Sequence, residues 1–385
     1  MRLPCHSTSR PRREHATFCS IIGVSQTSER NAFASAGQRG VLASRDPICA
    51  EPAIAPKRRR SNASGASSGY NVLKMKTVFP RRLEAGGSIG IISPARWLDG
   101  PLLDAGCAEL HRRGYRTKVH AQNYQRLHQF AGPDEVRLGA IHDLFKDPEV
   151  AVILCTKGGY GTLRYLDQLD FDLIRARPKP LVGYSDATAL LVANYECAGL
   201  VGFHGPMLLT FADQHEAPSI DALMSCLTNS SPSVFDCSPD GSSRTLRVGR
   251  GQGRLIGGNL SILANLIGTR GEPDLDGAVL FLEDVDEYYY ALDRLFVHLR
   301  RAGWLASLSG LIVGRMVNAK DNQIPFGIDI DEMVLDACRG TTYPILSQVP
   351  IGHVPQPMTL PVGVLAELRA TDGSCILELL EAPVC

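Results

Sequence analysis

Strand-like segments alternate with helical ones between residues 86 and 207, and this alternation constrains the fold more than any other feature of the chain. The strand-like segments are GGSIGIISPA (86–95), TKVHAQN (117–123), AVILCT (151–156), PLVGYS (180–185) and VGFHGPM (201–207). Apolar residues at helical spacing separate them, as in residues 135–147 and 186–199. Strands that alternate with helices predict an α/β fold with a parallel sheet covered by helices on both faces.

The second half of the chain has a different pattern. Residues 213–248 loosen into Ser, Pro and Asp, which predicts a linker after a Rossmann-like N-terminal domain over residues 76–212. Beyond the linker, a glycine-rich segment, the apolar strand AVLFLEDV (278–285), a helix over 289–303 and a β-rich tail follow. This order predicts a smaller, mixed α/β C-terminal domain over residues 249–385.

Residues 1–75 differ in composition from the rest of the chain. They are rich in Ser, Arg, Ala and Pro, contain the basic run Lys57–Arg60 and show no hydrophobic periodicity. Such a segment buries too little apolar surface to offset the entropy of ordering, so we predict a disordered extension. Its composition is similar to that of an organelle transit peptide. A start site assigned too far upstream, or a dispensable tail, is the interpretation we favour.

Charge and cysteine usage exclude several classes of function. The net charge is zero, with an excess of seven positive charges in residues 1–60 and of seven negative charges beyond them. A mildly acidic body gives no electrostatic reason to expect nucleic-acid binding, and no apolar run is long enough to span a membrane. The 11 cysteines contain no C-x-x-C or zinc-finger spacing, which predicts reduced thiols, a cytoplasmic location and no metal.

Ser185 lies between a buried strand and a helix, in VGYSDATALL. Enzymes that transfer acyl groups place a nucleophile on such a turn, where the hydroxyl is exposed and helix N-terminal amides can stabilise an oxyanion. The sequence departs from the usual G-x-S-x-G pattern, because Ala187 stands where the second glycine is expected. The alternative is that Ser185 or Asp186 only caps the helix.

Two further residues have the chemistry to assist a serine nucleophile. Glu283 closes the apolar strand AVLFLEDV, at the kind of strand end where open α/β sheets place their sites. His353, in VPIGHVPQPMTLPVG, is a candidate general base. Either residue could instead be an ordinary surface group. The order serine, acid, histidine is one of several that catalytic triads use.

A glycine loop, KGGYG (Lys157–Gly161), directly follows the buried strand AVILCT. Its glycines permit positive φ and close backbone approach, so two N–H groups could face an oxyanion or a phosphate. The loop matches neither a P-loop nor a dinucleotide-binding fingerprint. Taken alone, it is a tight turn at the edge of a sheet.

Together these segments resemble the LD-carboxypeptidases, which include muramoyltetrapeptide carboxypeptidases and the microcin C immunity peptidases (serine peptidase family S66). The resemblance covers about three quarters of the chain. The matching segments are IGIISPA, CTKGGYGTLRYL, LVGYSDATALL, GFHGPM, GRLIGGNL, VLFLEDVDEYYYALDR, LIVGRM and PIGHVPQPMTLPVG.

The resemblance implies a catalytic triad of Ser185, Glu283 and His353, split between two domains. It also implies an oxyanion hole made by the backbone N–H groups of Asp186 and Gly159. It further implies no metal or other cofactor, a homodimer and a small peptide substrate. One departure is visible, since the family commonly has Arg where this chain has Lys157, and Lys lacks bidentate geometry.

Candidate partners for the terminal carboxylate of a substrate are Lys157 and Arg164. Their assignment is based only on their positions in and after the glycine loop. The implied reaction removes a C-terminal D-amino acid, D-Ala, from cell-wall muropeptide tetrapeptides during peptidoglycan recycling. Alternatives are a related serine peptidase that hydrolyses peptidyl-nucleotide antibiotics and an α/β module that binds a small ligand without catalysis. A metallopeptidase has little support, because no H-E-x-x-H occurs.

Overall fold

The computed structural model describes residues 75–385, so the predicted extension lies outside the described range except for its last residue. The strands of this range are β1 (Ser88–Ile92), β2 (Arg116–Val119), β3 (Val150–Cys155), β4 (Leu181–Gly183), β5 (Gly202–His204), β6 (Val234–Asp236), β7 (Arg244–Arg247), β8 (Gly249–Asn259), β9 (Val279–Val285), β10 (Gly310–Val317), β11 (Ile345–Val349), β12 (Leu360–Val362), β13 (Leu365–Ala370) and β14 (Cys375–Leu379).

The helices of the same range connect these strands. They are α1 (Gly100–Arg112), α2 (Asp134–Lys146), α3 (Phe171–Ala176), α4 (Thr188–Ala198), α5 (Leu208–Phe211), α6 (Ala217–Thr228), α7 (Leu260–Ala264), α8 (Tyr289–Ala302) and α9 (Ile330–Ala337). Local signals explain several of their boundaries. Asp329 and Glu332 form a capping box at the start of α9, and Gly199 and Gly303 end α4 and α8 in the left-handed conformation.

The first sheet has six strands in the order β12-β5-β4-β3-β1-β2. Its five N-terminal strands are parallel, and all residues of β1 and β4 are buried. Continuous burial is what a parallel sheet with helices on both faces requires. The predicted α/β class and the Rossmann-like N-terminal half are therefore confirmed.

The second sheet has eight strands in the order β6-β14-β13-β8-β9-β10-β11-β7. The four central strands from β8 to β11 are parallel, and the outer strands pair antiparallel. The mixed character predicted for the C-terminal half is confirmed. Most residues of β9 and β10 are buried.

The segment 213–248, for which the sequence predicts a linker, contains regular structure. It includes α6 and the strands β6 and β7, which form the two opposite edges of the second sheet. Both strands are short and largely accessible to solvent, and Val234 is 63% exposed. Edge strands of this kind carry little apolar periodicity, which is why the sequence resembles a loop.

One C-terminal strand belongs to the first sheet. β12 pairs antiparallel with β5, with Leu360 opposite His204 and Val362 opposite Gly202. The polypeptide therefore returns from the second sheet to complete the first, and the two halves share a backbone ladder. Among residues 75–385, no helix combines the length and the apolar character needed to cross a bilayer.

Replacing Leu360 with alanine should destabilise both halves together. Leu360 is fully buried, so the loss of its side chain should lower the free energy of unfolding by about 2–5 kcal/mol. Urea unfolding followed by fluorescence and circular dichroism measures this change. Leu102→Ala is the matched control, because Leu102 is 39% exposed and its loss should cost far less. Two separate transitions, of which only one shifts, would contradict the shared ladder.

Candidate functional site

Ser185 opens a 3-10 turn, Ser185–Ala187, between β4 and α4. Its φ is +62°, a left-handed conformation that a serine rarely adopts outside functional turns. The turn is tight, since a Cβ added at Gly183 would lie 2.8 Å from the Cβ of Ala187. Two small residues thus flank the serine, and alanine fits where the usual motif has its second glycine.

The glycine loop lies directly against this serine. A Cβ added at Gly158 would lie 2.7 Å from the Cβ and 2.8 Å from the Oγ of Ser185, and 3.5 Å from the backbone nitrogen of Asp186. Only glycine at position 158 leaves room for the hydroxyl. The glycine loop and the serine turn are therefore in direct contact.

Asp186 fixes the glycine loop to the serine turn. Its buried carboxylate accepts hydrogen bonds from the backbone N–H groups of Gly161, at 3.2 Å, and Thr162, at 2.9 Å. The Thr162 hydroxyl donates in return to the Asp186 carbonyl, at 2.8 Å. Burial raises the pKa of Asp186 although these donors oppose the rise. The side chain thus has a structural role, because it ties the glycine loop to the serine turn.

Glu283 and His353 form a hydrogen bond of 2.7 Å between Oε2 and Nδ1. Glu283 lies on β9 and is completely buried, whereas His353 lies on the loop that follows β11. Gly352, with a φ of +78°, precedes the histidine, and a Cβ there would overlap the Glu283 carboxylate. The glycine is therefore required for this contact.

The electrostatics of this pair suit a general base. Burial alone would raise the pKa of Glu283, but His204 and His353 hold it at about 2. Burial lowers the pKa of His353, but the carboxylates of Glu283, Asp284 and Asp286 outweigh it, so this pKa lies above its ordinary value. Glu283 therefore stays ionised, and its charge favours the protonated imidazole.

Tyr184 connects the pair to the serine. Its ring meets the His353 ring edge-on at 5.0 Å between centroids, and it directly precedes Ser185 in the chain. The structure thus brings Glu283 and His353 into contact and sets His353 beside the residue before the serine. Among the hydrogen bonds between residues 75–385, none joins Ser185 to His353.

Two cationic side chains lie at the glycine loop. Gly159, with a φ of +118°, packs against the aliphatic stem of Arg96 so closely that a Cβ would overlap it. Lys157 is half-buried, and both burial and the positive charge of Arg96 lower its pKa. Within residues 75–385, neither of these two cations forms an ion pair. Arg164, in contrast, pairs with Asp134 at 2.8 Å.

Arg137 is a supporting residue that the sequence reasoning missed. It is fully buried on α2, donates to the Pro94 carbonyl at 2.8 Å and lies over the Tyr165 ring at 5.0 Å. A Cβ at Gly161 would lie 2.5 Å from its guanidinium, so Arg137 supports the glycine loop from behind. Its sequence position gives a signal, because Arg137 shares the apolar helix face of Ala140, Ile141 and Leu144.

Asp284, next to Glu283, was also missed. Its carboxylate accepts hydrogen bonds from Asn259 Nδ2 at 2.9 Å and from the Ser261 hydroxyl at 2.6 Å. The backbone N–H of Asn259 in turn donates to the Thr188 hydroxyl, at 3.0 Å. This chain of contacts joins the end of β9 to the first turn of α4, directly after the serine.

Comparisons with known proteins identify relatives of this chain. Family models described as the N-terminal and C-terminal domains of LD-carboxypeptidase match residues 89–205 and 252–368. A "probable murein peptide carboxypeptidase" of Bacillus subtilis is 34% identical over 79% of this chain and 97% of its own length. The Escherichia coli microcin C7 self-immunity protein MccF is 27% identical over 73% of this chain and 90% of its own length.

A solved structure gives the same result for the fold. The crystal structure of muramoyltetrapeptide carboxypeptidase from Oxalobacter formigenes matches with a TM-score of 0.70 and 29% identity. The match covers 77% of this chain and 100% of the other.

Replacing Gly158 with alanine should block the serine without unfolding the protein. The added methyl group would contact Ser185 Oγ, so the rate of labelling by a serine-directed phosphonate should fall at least tenfold. Mass spectrometry of the labelled peptide measures the rate. Gly139→Ala, on α2, is the matched control because nothing lies within 4 Å of its added Cβ. Equal labelling of the two variants would contradict the close contact.

Proposed function

This chain belongs to the LD-carboxypeptidase family of peptidases, and from that premise we propose that it is a serine-type carboxypeptidase with a triad of Ser185, Glu283 and His353. Its proposed substrates are muropeptide tetrapeptides, from which it removes the C-terminal D-Ala at the L,D bond. The observation that carries the proposal is the buried Glu283–His353 hydrogen bond beside a serine in the left-handed conformation.

The first half of the reaction forms an acyl-enzyme. His353 takes the proton of the Ser185 hydroxyl, and Ser185 Oγ attacks the carbonyl carbon of the scissile bond. The N–H groups of Asp186 and Gly159 receive the developing oxyanion, and each such donor is worth about 2.7–4 kcal/mol. His353 then protonates the leaving amine of D-Ala.

The second half releases the shortened peptide. Water takes the place of the amine, gives its proton to His353 and attacks the ester carbonyl. Collapse of the tetrahedral intermediate returns the proton to Ser185. Throughout, Glu283 holds the imidazole in one tautomer and stabilises its cationic form.

Lys157 and Arg96 are the proposed partners of the terminal carboxylate. A carboxypeptidase must recognise a free carboxylate a few ångströms beyond the scissile carbonyl, and these two cations flank the loop proposed for the oxyanion hole. Arg164 is the weaker candidate, because its guanidinium already pairs with Asp134. The planar guanidinium of Arg96 can also bind both oxygens of a carboxylate at once, which the ammonium group of Lys157 cannot do.

We propose a cytoplasmic role in peptidoglycan recycling. The cysteines of residues 75–385 are all free thiols, and all but Cys197 and Cys385 are buried. Free thiols fit a reducing compartment, where cell-wall fragments are recycled. The homodimer implied by the family resemblance stays a prediction.

A second candidate is hydrolysis of peptidyl-nucleotide antibiotics, which the resemblance to the microcin C immunity peptidases implies. One relative is named a microcin C7 self-immunity protein. The specific observation in its favour is an exposed aromatic pair, Tyr288 and Tyr290, shortly after the end of β9. Their rings lie 5.5 Å apart between centroids and could stack with a nucleobase. Side-by-side turnover of the two substrate classes separates the candidates.

Replacing Ser185 with glycine should abolish activity while preserving stability. Glycine removes the hydroxyl but adopts a φ of +62° without strain, so the free energy of unfolding should be unchanged or higher. Release of D-Ala from a muropeptide tetrapeptide should fall on the order of 10⁴-fold or more. Chromatographic detection of D-Ala measures the loss.

Two controls sharpen this experiment. A tetrapeptide that ends in L-Ala should be a poor substrate. Ser307→Gly, which alters an exposed serine outside the proposed triad, should leave turnover unchanged. Turnover by Ser185→Gly at the wild-type rate would refute the nucleophile. Phosphonate labelling of wild type without turnover of either substrate class would favour a different acyl substrate. The absence of both labelling and turnover would favour the ligand-binding module.

Removing the positive charges at the glycine loop should weaken binding more than chemistry. Arg96→Gln and Lys157→Met keep most of each side-chain stem, and each should raise KM for the tetrapeptide about 10- to 100-fold with a smaller change in kcat, since charged hydrogen bonds are worth about 1.5–3 kcal/mol. Steady-state kinetics measure both constants.

Arg164→Gln is the matched control, since an exposed ion pair contributes about 0–1 kcal/mol. A tetrapeptide with a C-terminal amide should be a poor substrate for the wild-type protein. Neither Arg96→Gln nor Lys157→Met should change its KM further. A larger effect of Arg164→Gln than of either variant would transfer the carboxylate role to Arg164.

A further inference from the structure

A second histidine faces the Glu283 carboxylate from the opposite side. His204 ends β5 and is 1% exposed, and its Nε2 lies 3.8 Å from Glu283 Oε1. His353 occupies the other oxygen, Oε2. The two imidazoles therefore approach the two oxygens of one carboxylate.

The polar atoms with which His204 and Glu283 face each other lack hydrogen-bond partners. Neither ring nitrogen of His204 has a hydrogen-bond partner among the described residues, and Glu283 Oε1 has none either. Buried donors and acceptors are nearly always paired, so an unpaired imidazole that faces an unpaired carboxylate oxygen needs an explanation. At 3.8 Å the atoms are about 1 Å beyond a normal hydrogen bond.

Aromatic packing holds the His204 ring in this orientation. Phe281 meets it edge-on at 5.3 Å between centroids, and Tyr184 lies against it at 5.9 Å. Tyr184 also contacts His353, so one phenol ring packs against both imidazoles. A small shift of β5 relative to β9 would close the remaining gap without turning the His204 ring away.

We propose that His204 is a positioning residue whose Nε2–H binds Glu283 Oε1 and fixes the carboxylate so that Oε2 is aimed at His353. The inference rests on the proposed serine mechanism. Because His204 lies in the first sheet and Glu283 in the second, the same contact ties the docking of the two sheets to the orientation of the base.

The contact also sets how strongly Glu283 favours protonated His353. A second donor draws charge from the carboxylate, so its loss should raise the pKa of His353. The other ionisable groups near this cluster are the phenol of Tyr184, Glu216 on the Tyr184 side, Asp284 and Asp286. Burial raises the pKa of Tyr184, which therefore stays neutral, and hydrogen bonds from Asn259 and Ser261 engage Asp284.

Three substitutions at position 204 test the proposal. His204→Gln can place an N–H near the Nε2 position, His204→Asn cannot reach it, and His204→Phe fills the space without a donor. We expect His204→Gln to keep kcat within about threefold of wild type, and His204→Asn and His204→Phe to lose about 10- to 100-fold with little change in KM. The pKa of His353, followed by NMR titration without substrate, should rise by about half a unit or more in the latter two.

The outcomes separate this role from a purely structural one. A loss of stability alone would lower the amount of folded protein but leave the pKa of His353 unchanged. Equal kcat and equal His353 pKa in His204→Gln and His204→Asn would overturn the proposal, even if His204→Phe fails to fold. If wild type turns over neither substrate class, the proposed function fails, whereas the NMR titration still decides the His204–Glu283 contact.

Discussion

Glu283 keeps a negative charge inside the protein, where an unpaired carboxylate would cost several kcal/mol to leave ionised. The 2.7 Å hydrogen bond to His353 offsets much of that cost and at the same time orients the imidazole. Gly352 makes the contact possible by having no side chain at a positive φ. The second sheet therefore supplies both members of the charged pair, while the serine that would use them lies on the first sheet. Everything else in the site depends on how the two sheets are held together.

The serine turn stores strain that the surrounding packing must hold. A left-handed serine costs about 1–2 kcal/mol, and it persists only where neighbouring contacts leave no alternative. Gly183 lies so close to Ala187, and Gly158 so close to the Ser185 hydroxyl, that a Cβ atom at either glycine would clash. Asp186 then pins the glycine loop by two backbone hydrogen bonds. The strain at Ser185 is thus maintained by contacts with the glycine loop that follows β3.

The sequence alone was sufficient for the fold class, because the apolar strands of the parallel sheet are buried on both faces and stand out from their surroundings. It did not show that β12, which falls in the predicted β-rich tail, pairs with β5 of the first sheet, because that partner lies 158 residues away. Ser185, Glu283 and His353 could be named from local patterns, but the Glu283–His353 contact joins residues 70 positions apart and no spacing reveals it. His204 could not be found at all, since its relevance comes entirely from a carboxylate on the other sheet.

The contacts that join the two sheets lie at the proposed site. β12 pairs with β5, which ends at His204, and Asn259 donates to Thr188 three residues after the serine. If only the first half of the chain had folded, the strained serine would lack the acid, the base and the contacts with the second sheet. Docking of the second sheet therefore both completes the fold and supplies the groups that would activate the hydroxyl. This coupling gives a physical reason why the peptidase could remain inert until both sheets have formed and docked.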